Sequence, residues 1–561
     1  MSFARPLIVL LAAGLLYGGV SAVSILTGLH HYEWLVLGLR IFILLPALLY
    51  LLRFRSGSES KVYRWEESSG LWKRSVGLWI CLLGFVACAL LVSYHICQGI
   101  TFADESSYRF QAEVFAGLKA VANAPPGATA TPANTPLPLA YKHLILFHSG
   151  WFSKYPLGWP AVLALPEKLG IEWIATPLLG GLLLFLVGKI AREAFGATTV
   201  LPAVWIAALS PYCLAQCVGI LSHALCAVLI AAACWFCLRG IARQSLSQFS
   251  LMFVMLVLGF HVRPFTAFVA AVVLGLASLW YCRRNQRLIR RLAIVATGFA
   301  VLAVVSILLY NRAYTGNPWI SPYSLYDQQV VPSTSPSVIL QNLLWTRRLS
   351  AQATLLYAFP FVFTLGAYGF WKERRSPAAN VLACLFPAVV AGHSVFIFTS
   401  SPIVGERYYF EAYCTVAVLA ARGLECLILK WRSSKQAVIL TLLTLTGIQV
   451  VFTGVAIRQL ASVGQPYREV MRLAEQYRDC RCAVFLKTTN TDSFASESMN
   501  LNTPAWKSAV VFYLNDPGPA QRPMWASLFG WHSWAVIGYD EQTKMARLEL
   551  YHPAKGATRK D

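Results

Sequence analysis

Two adjacent acids, Asp104 and Glu105, follow closely on a long apolar run, at the start of a more polar stretch. A carboxylate in that place could take the proton of an acceptor hydroxyl during transfer from a phosphate-linked sugar, because the phosphate leaves readily without a general acid. The same residues could instead begin a helix, because aspartate is a favoured N-cap. The residues alone leave both interpretations of the acid pair open.

Three basic residues stand where a lipid phosphate could reach them, namely Lys154, Arg263 and Arg407. Lys154 precedes a Tyr-Pro pair, and the two arginines lie at predicted outer ends of membrane spans, where arginine is disfavoured. Ammonium and guanidinium groups make strong charge-assisted hydrogen bonds to phosphate. Each residue also has a plainer interpretation, since Lys154 can be an interfacial lysine and the arginines can pair with Glu406 or Glu411.

Five histidines map to the outer side of the predicted topology or near it: His143, His148, His223, His261 and His393. No pair among them has the spacing typical of a zinc site. Polar packing, or a hydrogen bond to a substrate, is the plainer interpretation. The sequence therefore predicts no certain cofactor and no metal ligands, and it leaves a divalent metal open.

The chain that must position these residues is too apolar for a soluble protein of its length. Of its 561 residues, 57% are hydrophobic and only 13% are charged. Runs such as 78–97, 292–310 and 438–457 approach the roughly 20 apolar residues that cross a bilayer. We expect an all-α polytopic membrane protein with about thirteen spans and a small C-terminal extracytoplasmic α/β domain.

The net charge of +22 reflects topology, because the basic residues occur in short clusters that occupy every second loop. One such cluster is Arg283, Arg284 and Arg287. No amphipathic basic face is present, so nucleic acid is not a predicted partner. By the positive-inside rule the clusters are cytoplasmic, as is the N-terminus, and the acid pair and the C-terminal segment lie on the opposite face.

The chain divides into three parts. Residues 1–75 are predicted to hold two spans and a basic cytoplasmic loop, 76–457 a membrane module with a large external loop at 98–171, and 458–561 the external α/β domain. Within the loop, 104–122 suits a helix on the membrane surface and 156–170 a second interfacial helix. In the last part we expect a helix near 467–478 and strands at 482–487 and 509–514.

The motifs resemble a known class of enzymes in order and in sidedness. The segment Phe102-Ala103-Asp104-Glu105-Ser106-Ser107-Tyr108 resembles the Asp-Glu motif in the first external loop of the multispanning GT-C glycosyltransferases, which include protein O-mannosyltransferases and lipid A aminoarabinose transferases. The segment Lys154-Tyr155-Pro156-Leu157-Gly158-Trp159-Pro160 is similar to the Lys-Pro-Pro segment of the aminoarabinose branch, with Tyr155 in place of the first proline. Segments 311–318, 321–323 and 405–411 are similar to bacterial carrier-lipid-dependent members, so that the resemblance covers about 76–457.

The resemblance implies a single inverting displacement, with the first acid as base and a polyprenyl-phosphate sugar as donor. We expect the catalytic residues to be Asp104 and Glu105. Contacts to the carrier phosphate or donor are expected from Lys154, Tyr155, Arg263, Arg407 and Tyr408. A sugar or acceptor pocket is expected from His143, His223, Tyr323 and Glu406.

The acceptor hydroxyl could belong to a lipid, a glycan or a protein, and the expected location is the bacterial cytoplasmic membrane, among its lipids. A ligase that transfers a whole glycan from a carrier lipid needs the same sidedness as such a transferase and the same basic residues to bind the phosphate. A transporter or flippase of a lipid-linked sugar would need ionisable residues deep inside its spans, which are nearly free of them. The acid pair favours the transferase of a single sugar.

Overall fold

A computed structural model describes the chain at 71–97, 103–124, 144–147, 150–329, 344, 350–351, 354–393, 404–430, 435–477, 482–488, 504, 511–528, 530–540, 542–543 and 545–553. The two predicted N-terminal spans, His143 and His148 lie outside these residues. The expectations that concern them stay predictions.

Helices form most of the described chain. In order they are α1 (Leu71–Val92), α2 (Ala103–Ala116), α3 (Gly158–Lys168), α4 (Ala175–Phe195), α5 (Val200–Ala208), α6 (Pro211–Gln216), α7 (His223–Arg243), α8 (Leu246–Val262), α9 (Pro264–Cys282), α10 (Gln286–Thr315), α11 (Pro322–Gln329), α12 (Val362–Glu373), α13 (Pro377–His393), α14 (Phe410–Lys430), α15 (Lys435–Ala474) and α16 (Arg522–Leu528).

Seven stretches of the described residues are long and apolar enough to cross a membrane: Gly77–Cys97, Glu172–Phe195, His223–Arg243, Pro264–Cys282, Gln286–Thr315, Arg407–Lys430 and Thr444–Ala474. Three shorter apolar stretches lie among them, including α8 and α13. The mostly helical, membrane-spanning character predicted from composition is therefore confirmed, and the count of about thirteen spans stays a prediction.

The corner between α8 and α9 brings Arg263 to the same end of the bundle as the start of α7. Because α8 ends at Val262 and α9 begins at Pro264, Arg263 has a non-helical backbone, with φ −145° and ψ 87°. Proline lacks an N–H and disfavours helical backbone in the residue before it, which explains the break. The Nη1 atom of Arg263 comes within 3.3 Å of Nε2 of His223, the first residue of α7.

Helix α2 carries the acid pair in its first turn and is largely buried, whereas we expected a helix on the membrane surface. It packs on α3 and on a small antiparallel sheet of order β1 (Ala122–Asn123), β3 (Gly150–Ser153), β2 (Leu144–Phe147). The Ser107 and Ser153 hydroxyls lie 2.7 Å apart, and the Gln111 side chain accepts a bond from the Ser153 N–H at 3.0 Å. These bonds fix the end of β3, directly before Lys154.

Helix α3 lies within the range 156–170 that we expected to form an interfacial helix. Its outer face exposes Val162 and Leu165, and Leu169 just beyond its end is also exposed. Its other face buries Trp159 and Leu163. A short helix with one apolar face on the bundle and apolar residues outward suits the boundary of a membrane.

The C-terminal part forms a four-stranded sheet of order β5 (Val511–Asn515), β4 (Cys482–Thr488), β6 (Ser533–Asp540), β7 (Met545–His552). Strand β4 is parallel to both of its neighbours, and β7 is antiparallel to β6. Helix α15 runs through residue 457, the expected boundary, without a break.

One face of this C-terminal sheet shares a hydrophobic core with the segment that carries the acid pair. Phe110 and Val114 of α2 lie in one cluster with Phe485, Trp525 and Val536 of the C-terminal part. Apolar contacts of this kind stabilise both partners by removing their surfaces from water. The C-terminal sheet therefore supports α2 at Phe110 and Val114, further along the helix than the acid pair.

Candidate active site

A cavity of about 290 Å³ opens at the end of the bundle where α2, α10 and the segment just before α3 meet the α8–α9 corner. Eight of the residues predicted for the site line it: Asp104, Lys154, Tyr155, His223, Arg263, Tyr323, Arg407 and Tyr408. They come from segments spread over about 300 positions of the sequence. The fold thus brings a carboxylate and three basic side chains to one space.

Asp104 faces the cavity with a hydrogen-bond donor on each carboxylate oxygen. The Tyr155 hydroxyl donates to Oδ1 at 2.7 Å, and Arg407 Nη1 contacts Oδ2 at 2.6 Å. Burial raises the pKa of Tyr155 well above its usual value, and the Asp104 charge raises it further, so that Tyr155 stays protonated. The carboxylate is held in one orientation beside both a neutral donor and a cation.

Glu105 points away from the cavity and does not line it. Its side chain is fully buried, and Oε1 accepts a hydrogen bond from the Ile220 N–H at 2.7 Å. The adjacent Gly219 has φ +74°, and a Cβ there would collide with Glu105 Oε1, which explains the glycine. Glu105 therefore fastens the turn that leads into α7.

Lys154 is 6% exposed, and its ammonium group lies among three tyrosine rings. The Nζ atom is 4.3 Å from the ring centre of Tyr326, 4.6 Å from that of Tyr323 and 5.2 Å from that of Tyr155. Cations over aromatic faces are stabilised by the ring quadrupole. The rings keep the charged end of Lys154 at the cavity, which it lines together with Tyr155 and Tyr323.

Arg263 is held from behind by Glu411, a residue of α14 that does not line the cavity. Its Nε atom lies 2.9 Å from Glu411 Oε1, and the same oxygen lies 2.8 Å from His223 Nδ1. The guanidinium also lies over the Tyr408 ring, 4.9 Å from its centre. Of the pairings that the sequence left open, Arg263 takes Glu411, whereas Arg407 contacts Asp104, a pairing that the sequence did not suggest.

Glu406, expected in the sugar or acceptor pocket, lies behind the cavity wall and is fully buried. It caps the short 3₁₀ turn Arg407–Tyr409, accepting from the Tyr408 N–H at 3.2 Å and from the Ser350 hydroxyl. A buried carboxylate with these partners fixes the backbone that carries Arg407. The structure does not bring Glu406 to the cavity.

Several residues that line the cavity were not singled out from the sequence, among them Tyr108, Thr266 and Tyr310. Tyr108 stands four positions after Asp104, so helical spacing alone places the two on the same side of α2. Thr266 and Tyr310 carry no such signal. Among the residues that the structure describes, no group of three or more His, Cys, Asp or Glu is placed to hold a metal ion.

Comparison with known proteins gives one family match, over 171–310, to the family described as dolichyl-phosphate-mannose-protein mannosyltransferase. No curated protein is significantly similar to the sequence. The matched segment includes α7, α8 and the corner with His223 and Arg263.

Solved structures of three membrane glycosyltransferases are distantly similar. ArnT from Cupriavidus metallidurans, bound to undecaprenyl phosphate, has 13% identity and a TM-score of 0.49, with 85% of this chain and 94% of that chain covered. An oligosaccharyltransferase of Archaeoglobus fulgidus, tethered with an acceptor peptide, has 14% identity and a TM-score of 0.46, with 72% and 58% covered. Arabinosyltransferase EmbB from Mycobacterium smegmatis has 14% identity and a TM-score of 0.40, with 78% and 45% covered.

The chain thus spans 58% of the length of the archaeal oligosaccharyltransferase and 94% of that of ArnT. Within it, the family match covers helices that build one wall of the cavity. The match to a mannosyltransferase family over 171–310 confirms the resemblance to the GT-C glycosyltransferases that the sequence motifs indicated.

Proposed function

We propose that this protein is an inverting glycosyltransferase that moves a sugar from a polyprenyl-phosphate carrier to a hydroxyl of a lipid, glycan or protein, on the extracytoplasmic face of the membrane. One observation carries the proposal: Asp104, the one carboxylate among the described residues that line the cavity, shares it with Lys154, Arg263 and Arg407 at one end of a bundle of apolar helices. That combination suits an acceptor hydroxyl on one side and a lipid phosphate on the other.

The chemistry assigns each group a task. Asp104 takes the proton of the acceptor hydroxyl as its oxygen bonds to the anomeric carbon, and the carbon–oxygen bond to the phosphate breaks with its electron pair on the phosphate. The phosphate then carries a second negative charge. Arg263, Arg407 and Lys154 line the same cavity and stabilise that charge, because fixed positive groups favour the state in which negative charge develops.

The remaining walls of the cavity suit the lipid. Val262, Pro264, Phe265 and Ile307 line it with apolar surface, next to the basic groups. Ile307 belongs to α10, a helix whose apolar side chains are largely exposed and would face lipid in a bilayer. An isoprenoid chain could therefore leave the cavity beside α10 while its phosphate stays with the arginines.

The sidedness can be tested directly. Single cysteines at the exposed positions Lys119 and Thr543, in a background without reactive cysteines, should react in whole cells with a thiol reagent that does not cross the cytoplasmic membrane. A cysteine at Gln286, which is exposed next to the basic cluster after α9, should react only after lysis. Labelling of position 286 in intact cells, with positions 119 and 543 protected, would reverse the orientation.

The activity can be tested with purified protein in nanodiscs and a panel of polyprenyl-phosphate sugars. Transfer of a sugar to an added envelope-lipid or glycan fraction should be detected by mass spectrometry, with polyprenyl phosphate released in equal amount. Comparison of envelope glycans and lipids from cells with and without the gene should show the same modification missing. Transfer from diphosphate-linked glycans alone would favour the ligase instead.

A further inference from the structure

Glu411 lies directly behind the cavity and stands out because it is fully buried and carries no obvious task in catalysis. It belongs to the first turn of α14, one helical turn after Arg407. Its Oε1 atom contacts two groups, Arg263 Nε at 2.9 Å and His223 Nδ1 at 2.8 Å. A buried carboxylate is unfavourable unless it is paired. Packing alone therefore does not explain why an acid occupies this position.

His223 connects the same two residues a second time. Its Nδ1 faces the Glu411 carboxylate, which can only accept, and its Nε2 lies 3.3 Å from Arg263 Nη1, which can only donate. The geometry therefore requires a neutral imidazole with its hydrogen on Nδ1. In that tautomer His223 bridges Glu411 to Arg263 and adds no charge to the site.

The two contacts together fix the guanidinium of Arg263. Nε faces Glu411, Nη1 faces His223 and the Ser222 hydroxyl, and the plane lies over the Tyr408 ring. Among the described residues, Nη2 makes no hydrogen bond, and Arg263 lines the cavity. A planar guanidinium held at Nε and Nη1 keeps one orientation, which an unrestrained arginine would adopt only part of the time, and Nη2 is left to donate to an anion.

We propose that Glu411 is a positioning residue for anion binding: through its ion pair with Arg263 and the neutral His223 bridge, it holds Arg263 ready for the carrier phosphate. The inference rests on the proposed function for the identity of the anion. Glu411 touches neither the sugar nor the reacting atoms; it acts through Arg263. Loss of Glu411 should therefore lower the affinity for phosphate. It should lower turnover only to the extent that Arg263 stabilises the leaving group.

The test measures binding of undecaprenyl phosphate, without a sugar, to the purified protein in detergent. Glu411→Gln keeps the size of the side chain and an acceptor for His223, but removes the charge that attracts Arg263. We expect the Kd to rise about tenfold or more, as for loss of a charge-assisted contact. Glu411→Asp keeps the charge and should bind more tightly than Glu411→Gln.

A matched control is Glu425→Gln, because Glu425 lies on the same helix, about 21 Å further along it, and pairs with Arg422 at 2.9 Å. This change should leave the Kd as in the wild type. In an Arg263→Gln background, Glu411→Gln should cause no further loss, since the residue through which it acts is gone. Additive losses would mean that Glu411 acts on its own and would overturn the inference.

The outcomes separate the two proposals. If the wild type does not bind undecaprenyl phosphate at all, the proposed function fails. If the wild type binds and folded Glu411→Gln binds equally well, the proposed function stands and the inference on Glu411 is wrong. Should Glu411→Gln not fold, Arg263→Gln tests the residue through which Glu411 acts; an unchanged Kd there overturns the inference too.

Discussion

Asp104→Asn is expected to lower turnover by about 10² or more while the purified protein stays folded and monodisperse. Asparagine has nearly the same shape and can still accept from the Tyr155 hydroxyl, which donates to Asp104 at 2.7 Å. It can also cap a helix, so a role in starting α2 would survive the change. The change removes the ability to take a proton, together with the negative charge that contacts Arg407 at 2.6 Å. Steady-state transfer with saturating donor and acceptor measures the effect.

Glu105→Gln is the natural comparison, because the two acids are adjacent and both stand in the first turn of α2. A glutamine can still accept from the Ile220 N–H, the bond that Glu105 makes in the structure, and the expected loss of turnover is therefore smaller. Full activity of Asp104→Asn with an inactive Glu105→Gln would exchange the two roles. If both variants kept near-normal turnover, the acid pair would be a structural helix start and the proposed mechanism would be wrong.

The residues of the site could be recognised singly, because each has a local signal. Asp104 follows an apolar run, Arg263 precedes a proline at a corner, and Arg407 stands on the side where the positive-inside rule disfavours it. Their pairing could not be predicted, since Arg407 and Asp104 are 303 positions apart and helix packing decides which acid meets which arginine. The local sequence offered Arg407 the nearer acids Glu406 and Glu411.

Burial was the other property that local sequence could not supply. Tyr108 and Phe115 at helical spacing suggested a helix with one apolar face on the membrane. In the structure α2 is covered on one side by α3 and β3, and on another by the C-terminal sheet through residues such as Trp525. The partner surfaces come from distant segments, so the pattern of α2 alone could not reveal that its polar residues, including Glu105, are also buried.

Arg407 is the residue whose loss should affect both halves of the reaction. It contacts Asp104 Oδ2 at 2.6 Å and lines the cavity with Arg263, so it lies between the proposed base and the proposed phosphate site. During transfer, negative charge disappears from Asp104 as it takes a proton and appears on the phosphate. A cation in contact with Asp104 and within the same cavity stabilises the charge before and after this shift.

Arg407→Ala should therefore weaken donor use by about 1.5 to 3 kcal/mol per lost charge-assisted bond, a change of roughly 10- to 150-fold in kcat/KM. Arg407→Lys should also be impaired, because a point charge cannot replace a planar fork that contacts a carboxylate and a phosphate at once. Arg422→Lys is the matched control, since Arg422 lies on α14, near its other end, in an ion pair with Glu373 at 2.6 Å. The test is to measure donor kinetics on the three purified variants. Normal values for both Arg407 variants would make this arginine a structural partner of Asp104. A loss confined to the Arg407 variants, with the KM for the acceptor unchanged, places Arg407 between the base and the leaving group.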